Sequence, residues 1–473
     1  MRYFIIFLAF LSVIFLIQCG QNPSDASTET SAEIGSTASY VPFPHGFGFP
    51  TDRNTIDQWV AKQDVPAIRE HAWKLWAGLS QPNADGIEIW RTWYNLNQIF
   101  DGLSGAVGGT KHVPCDPRAD SLAERYGLAP IYPENWQCGA NKEGRFINTI
   151  DALLIFSVYY NQGAHDWIMR KDLHQKSTLT DWLEAGKTDI PHAPDTAMVV
   201  KPVFYPVKAD PDAYTALPVW DGPGDRDPLA YNGFETWERA VAITTNPNPP
   251  PTVPVSYLHG LCNRDSFRYE FPTARTVSLD KFYALKLDKE TLAKFSSGDS
   301  CVVNATFNYV HNRDFSEGDY LVTIGMHILS KEIEDWTMQT VWWHDKPDEG
   351  PFAADKPDDI PDGTWKNYLL TQAYYMAVPN RAAGAPHIAY NPYIELMVPE
   401  ENRMRSNCQN CHRRAGNPLF PAIAVHPIGR KPPKWKPGAG YNPLQEGFIM
   451  DSDTIFDGVI RTDFNWAIPM NAN

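Results

Sequence analysis

Near its C-terminal end the chain carries Cys408, Cys411 and His412 in the stretch SNCQNCHRR, two thiols three residues apart with an imidazole directly after the second. Three chemistries use such a group. Two thiols at this spacing can bond a porphyrin while the adjoining histidine ligates its iron. The same thiols could cycle as a redox dithiol, or supply half of a tetrahedral zinc site. A zinc ribbon needs a second ligand pair at similar spacing, and the sequence has none. A redox dithiol sits at the head of a helix after a strand, and RMRSN ahead of Cys408 has no strand character. Porphyrin attachment is the chemistry that residue types and spacing favour.

The run Cys408 to His412 resembles the attachment motif of the c-type cytochromes, a resemblance confined to residues 401–473. It implies one haem c, covalently held through Cys408 and Cys411, with His412 as the proximal iron ligand. The run GMHILSKEIEDWTMQTVWWH at 325–344 is similar to a segment of larger exported single-haem proteins. A free-standing cytochrome domain needs a leading helix, and here Pro392 and Pro399 interrupt one. Downstream, HPIGRKPPKWKPGAGYNP is proline-rich, and SDTIFDGVIRTDFNWAI is the one amphipathic stretch left. That is too little helix to enclose a haem, so the C-terminal segment is expected to pack on the larger fold. The sixth iron ligand stays open: His327 and Met470 lead, ahead of Met450, His344, His387 and His426.

The elements that must position this group can be read upstream. Residues 51–190 are expected to be helical. TIDQWVAKQDVPAIREHAWKLWAGL sets Ile68, Ala72 and Leu75 on one stripe beside Trp76 and Leu79. Further helices are expected near 145–160 and 178–186. Residues 191–400 change to short β-branched runs between prolines, with TAMVVKPVFYPVK, YTALPVW, TARTVSL and FYALKL leading to CVVNATFNYV, DYLVTIGMHIL and DWTMQTVWWH. The alternation predicts a central antiparallel, β-sandwich-like sheet, and with the helices an α+β fold. WKNYLLTQAYYMAV reads as helical or extended, and DKPDEGPFAADKPDDIPDG as a solvated loop with no recognised calcium-binding spacing. Trp342 and Trp343 read as strand core. Gly102, Gly105, Gly108 and Gly109 lack the Lys-Ser/Thr pair of a phosphate cradle.

The N-terminus reads as an address. Residues 1–18 form a signal peptide with Arg2 ahead of an apolar run, and residues 19–50 a flexible polar tether that starts at Cys19. Cys19 followed by Gly20 resembles the lipidated cysteine of bacterial lipoproteins, although Gln18 departs from the small residue usual before it. The expectation is a chain in the cell envelope, anchored to the membrane through an N-terminal lipid. In that oxidising compartment Cys115, Cys138, Cys262 and Cys301 are disulfide candidates, and four cysteines allow three pairings. A net charge of -15 over 473 residues excludes nucleic acid as a partner; it reads first as solubility in an extracytoplasmic space, and it could also steer a basic redox partner in the envelope. The leading function is therefore electron transfer. The alternatives are a haem-dependent, peroxidase-like oxidoreductase with an open sixth iron position, or a haem-bearing ligand-binding or sensor protein.

Overall fold

A computed structural model describes residues 40–100, 155–156, 158–222, 237–259, 267–293, 303–304, 306–307, 310–311, 313–361, 363–375, 389–396, 408–418 and 456–472. Two helices open the fold. In α1 (Arg53–Lys62) the Asp52 side chain caps the first turn by accepting from Thr55 N, and the chain leaves it through Gln63 at φ 56°. In α2 (Val65–Ser80) Asp64 accepts from Ala67 N, and Pro66 takes a first-turn position where its missing N–H costs nothing. The stripe expected from the sequence is the buried one: Ile68, Ala72, Leu75, Trp76 and Leu79 all lie in the core. Trp76 donates to Trp365 O at 3.2 Å and Trp73 to Ala354 O at 2.9 Å, so both large side chains are buried with their N–H groups satisfied.

The sheet under α2 is assembled from distant parts of the chain. Strands β1 (Tyr94–Asn95), β2 (Ile155–Phe156), β3 (Tyr159–Tyr160) and β4 (Met198–Val207) form one side. Strands β5 (Thr215–Val219), β6 (Arg239–Thr244), β7 (Thr252–His259) and β8 (Phe267–Ser278) form a separate four-stranded sheet. The first sheet resumes with β9 (Ala284–Lys286), β10 (Tyr320–Ser330), β11 (Thr337–Trp343) and β12 (Tyr368–Tyr374). Its order is β1-β3-β4-β10-β11-β12, with β2 also on β4 and β9 also on β10, and every pairing is antiparallel. The four-stranded sheet has the order β5-β6-β8-β7, with β6 and β8 parallel. A small hairpin, β13 (Gly416–Asn417) with β14 (Ile460–Arg461), completes the fold. The whole is α+β.

Four expectations change. The region 51–190 contributes sheet as well as helix: in the described part of 145–160 the run IFSVYY supplies β2 and β3, because β-branched and aromatic residues suit a pleated surface. The expected strand CVVNATFNYV is helical at 303–304, 306–307 and 310–311. Val303, Thr306 and Phe307 are buried, a spacing of three and four residues that period-two alternation hid. The second sheet is not wholly antiparallel. In the loop after β11, Asp345 is buried and meets Arg239, and Asp355 pairs with buried Arg69, so this stretch is partly an internal tie. The helix near 178–186 forms as Lys176–Glu184, WKNYLLTQAYYMAV resolves into the extended β12, and Trp342 and Trp343 are core.

The two faces of the large sheet differ. On the face toward α2, buried Glu332 just beyond β10 accepts from Thr51 N at 2.7 Å and from the Ser330 hydroxyl, with His71 Nε2 at 3.2 Å. His71 Nδ1 meets Tyr374 Oη at 2.5 Å, and the Gln339 amide donates to the same oxygen at 3.0 Å. This polar knot locks α2 to β10, β11 and β12. The opposite face receives the C-terminal residues.

Candidate functional site

Residues directly opposite one another on antiparallel strands share a face. On the face away from α2, Val199, Leu329, Met338 and Ala373 make one row across β4, β10, β11 and β12. Two residues along, Lys201, His327, Thr340 and Thr371 make the next, about 7 Å away at the ordinary rise of a strand. The first row belongs to a buried cluster that includes Ala389, Ile460 and Ile468, and Cys408, Phe464 and Ala467 pack against it. Beyond the second row lies Gly325, over which Asn391 sits and donates to Thr340 Oγ1 and to Val341 O, both at 2.9 Å. The polar row Lys201–His327–Thr340–Thr371 is thus bounded by the Cys408 cluster on one side and Asn391 on the other.

The motif forms one helical turn, Cys408–His412, fixed from several directions. The Cys408 thiol donates to Ala389 O at 3.1 Å. The Gln409 amide, fully buried, donates to Trp336 O at 2.5 Å and Asp335 O at 3.2 Å. Arg413 pairs with Asp335 and stacks its guanidinium 5.3 Å over the Phe464 ring. The turn between β10 and β11 therefore carries the motif. Beyond the helix, Gly416 pairs with Arg461, and a Cβ there would overlap the Val459 side chain, so only glycine fits.

His412 is oriented by its backbone partner. Its Nδ1 donates to Phe464 O at 2.7 Å, leaving Nε2 as the lone-pair nitrogen of the ring. Burial holds its protonated form down to about pKa 4; the Phe464 carbonyl opposes this, and the charges of His327 and Lys201 add to it. At neutral pH His412 is a neutral imidazole with an available lone pair. This is the state in which an imidazole binds a metal, and a carbonyl on the second nitrogen is the usual means of fixing the tautomer.

Of the expected site residues, the structure brings Cys408, His412 and His327 to one face of the large sheet. His344 lies apart: its Nδ1 accepts from Lys346 N at 3.0 Å, and its Nε2 is 3.5 Å from Asp221. Cys411 falls within the described helix and Met470 within the helix Ala467–Asn471, but their side chains lie outside the described residues. Cys19, Cys115, Cys138, Cys262, Cys301, His387, His426 and Met450 also lie outside them. The stretch SDTIFDGVIRTDFNWAI is no single amphipathic helix in its described part; it holds β14, a turn and the short helix at 467–471. Sequence reasoning missed Lys201, Gln409, Asp463 and the Phe464 carbonyl, whose partners lie up to 271 residues away in the case of His192 and Asp463.

Among the described residues no group of three or more His, Cys, Asp and Glu side chains is arranged to hold a metal ion, and no helix is long and apolar enough to cross a membrane. No protein-family model, curated protein or solved structure matches the chain.

Proposed function

We propose that the chain is a monohaem c-type cytochrome of the cell envelope, anchored through lipid on Cys19, that passes electrons to and from a redox partner protein. The observation that carries this reading is the His412 ring: Nδ1 is committed to the Phe464 carbonyl, and the lone pair of Nε2 stays available next to the two attachment cysteines. Bound here, haem c would supply one-electron exchange between ferric and ferrous iron. Cys408 and Cys411 hold the macrocycle. His412 gives the proximal nitrogen.

His327 would be the second side chain to hold the iron in this reading, because it stands in the polar row bounded by the Cys408 cluster and interacts electrostatically with His412. The row Val199, Leu329, Met338 and Ala373 would keep water from a group bound beside it, which would favour electron exchange over ligand exchange. The acidic surface biases docking toward a basic partner.

Lys201 supports a second reading, a haem-dependent oxidoreductase with an open sixth iron position. It lies beside His327 across the strand pair, where its ammonium could stabilise a small anionic substrate. Carbon monoxide separates the two. The dithionite-reduced spectrum is expected to be unchanged by the gas in the native protein and to shift in His327→Ala. A native spectrum that shifts promptly would overturn His327 as a ligand and favour the oxidoreductase.

A further inference from the structure

The Phe464 carbonyl does not reach His412 by chance of packing. Residues Asp463 and Phe464 both adopt left-handed backbone conformations, at φ 47° and 64°. Neither is glycine, and a side chain in that region costs energy that the surroundings must offset. The turn is closed by Asn465 N donating to Thr462 O at 2.9 Å and by the Thr462 hydroxyl donating to Asn465 O at 3.0 Å. Thr462 N in turn donates to Ala415 O at 2.9 Å, which ties the turn to the residues just after the motif.

The Asp463 carboxylate is the anchor of this turn. Its Oδ1 accepts from Lys331 Nζ at 2.6 Å, and both side chains are only 1% exposed. Its Oδ2 accepts from Ala193 N at 2.9 Å and from Trp336 Nε1 at 3.2 Å. His192 Nδ1 adds a contact from the surface at 2.9 Å. Lys331 is itself held by Glu334 O at 2.5 Å. So one carboxylate gathers four donors from two separate segments, 192–193 and 331–336, onto the turn that aims the Phe464 carbonyl at His412.

We infer that Asp463 is a positioning residue, which through Lys331, Ala193 and Trp336 fixes the left-handed turn so that Phe464 O selects the Nδ1–H tautomer of His412. The value of that tautomer rests on the proposed cytochrome function, but its selection does not. A free imidazole prefers its hydrogen on the other nitrogen, so the preference must be imposed. Mutating the turn should release it.

The test uses the full-length chain labelled with ¹⁵N at histidine, isolated without haem, with the tautomer of His412 read from its ring nitrogen shifts. Wild type is expected to show Nδ1–H as the dominant species. Asp463→Ala, folded by circular dichroism, is expected to lose that dominance in favour of Nε2–H. Asp463→Asn tolerates the left-handed backbone and keeps an oxygen for Ala193; it covers the case in which the alanine variant does not fold, and is expected to shift partway in the same direction. A purely structural role would lower the melting temperature of both variants and leave the tautomer where it was; that result overturns the inference. Covalent haem on the wild-type chain matured in the envelope is scored separately. Its absence would defeat the cytochrome reading while leaving the tautomer result standing.

Discussion

At the scale of single residues, the chain shows how a charged group can act at a distance from the chemistry. Lys331 and Asp463 are both buried, and taking two ions out of water is repaid only by close contact and further hydrogen bonds. Removing one partner strands the other. Lys331→Met is therefore expected to cost about 3–5 kcal/mol in unfolding free energy, measured by urea titration at neutral pH. The pair also sets a pH dependence. Burial opposes ionisation of Asp463, but His192, Lys331 and Ala193 together bring its carboxyl below the usual value of 3.8. A lowered carboxyl contributes stability that is present above its unfolded value and lost as pH falls through the folded one. His192 works in the opposite sense. Its hydrogen bond to Asp463 raises it above 6.5, so its contribution is full below pH 6.5 and fades as pH rises through the raised value. His192→Asn is expected to remove that alkaline decline from the wild-type stability profile. An identical decline in the variant would assign it to another group.

At the scale of elements, strands β10 and β11 were the legible part of the fold, and for a physical reason. Met326 and Ile328 face α2 while His327 and Leu329 face the C-terminal residues, and strict period two announces such a division. The misread run at 303–310 failed because Val303 and Phe307 fit both periods over so short a length, and only the burial of Thr306 tells helix from strand. The turn at 462–465 gave no local signal. Its geometry is dictated by Lys331 and Trp336, which sequence distance hides, although the crowded charges of KEIED between two strands were a hint that the turn has work outside the sheet. The apolar row should behave as core. Met338→Ala is expected to cost about 2–5 kcal/mol, and a value near zero would mean that the C-terminal residues do not pack tightly on it. Gly416→Ala should cost about 1–3 kcal/mol through overlap with Val459, read from the same denaturation curves.

At the scale of the whole molecule, the Cys408–His412 turn depends on residues far from it in the chain. The motif helix is held by Trp336 and Asp335, its histidine by Phe464, and the Phe464 turn by residues 192–193 and 331–336. No short C-terminal piece contains those partners. Residues 36–473 form one compact unit. Residues 401–473 expressed alone are expected to give the narrow amide dispersion of an unfolded chain. Well-dispersed resonances from that fragment would contradict the dependence argued here. On the proposed cytochrome function, the large fold would supply His327, the apolar row and the clamp on His412.

The central claim is covalent haem on Cys408 and Cys411, and the most direct measurement is the intact mass of the exported full-length protein under denaturing conditions. The account predicts a mass raised by one haem in the wild type and an unmodified mass in the Cys408→Ala, Cys411→Ala double variant. A wild-type chain that leaves haem-attaching cells with no added mass, or a double variant that retains it, contradicts the account.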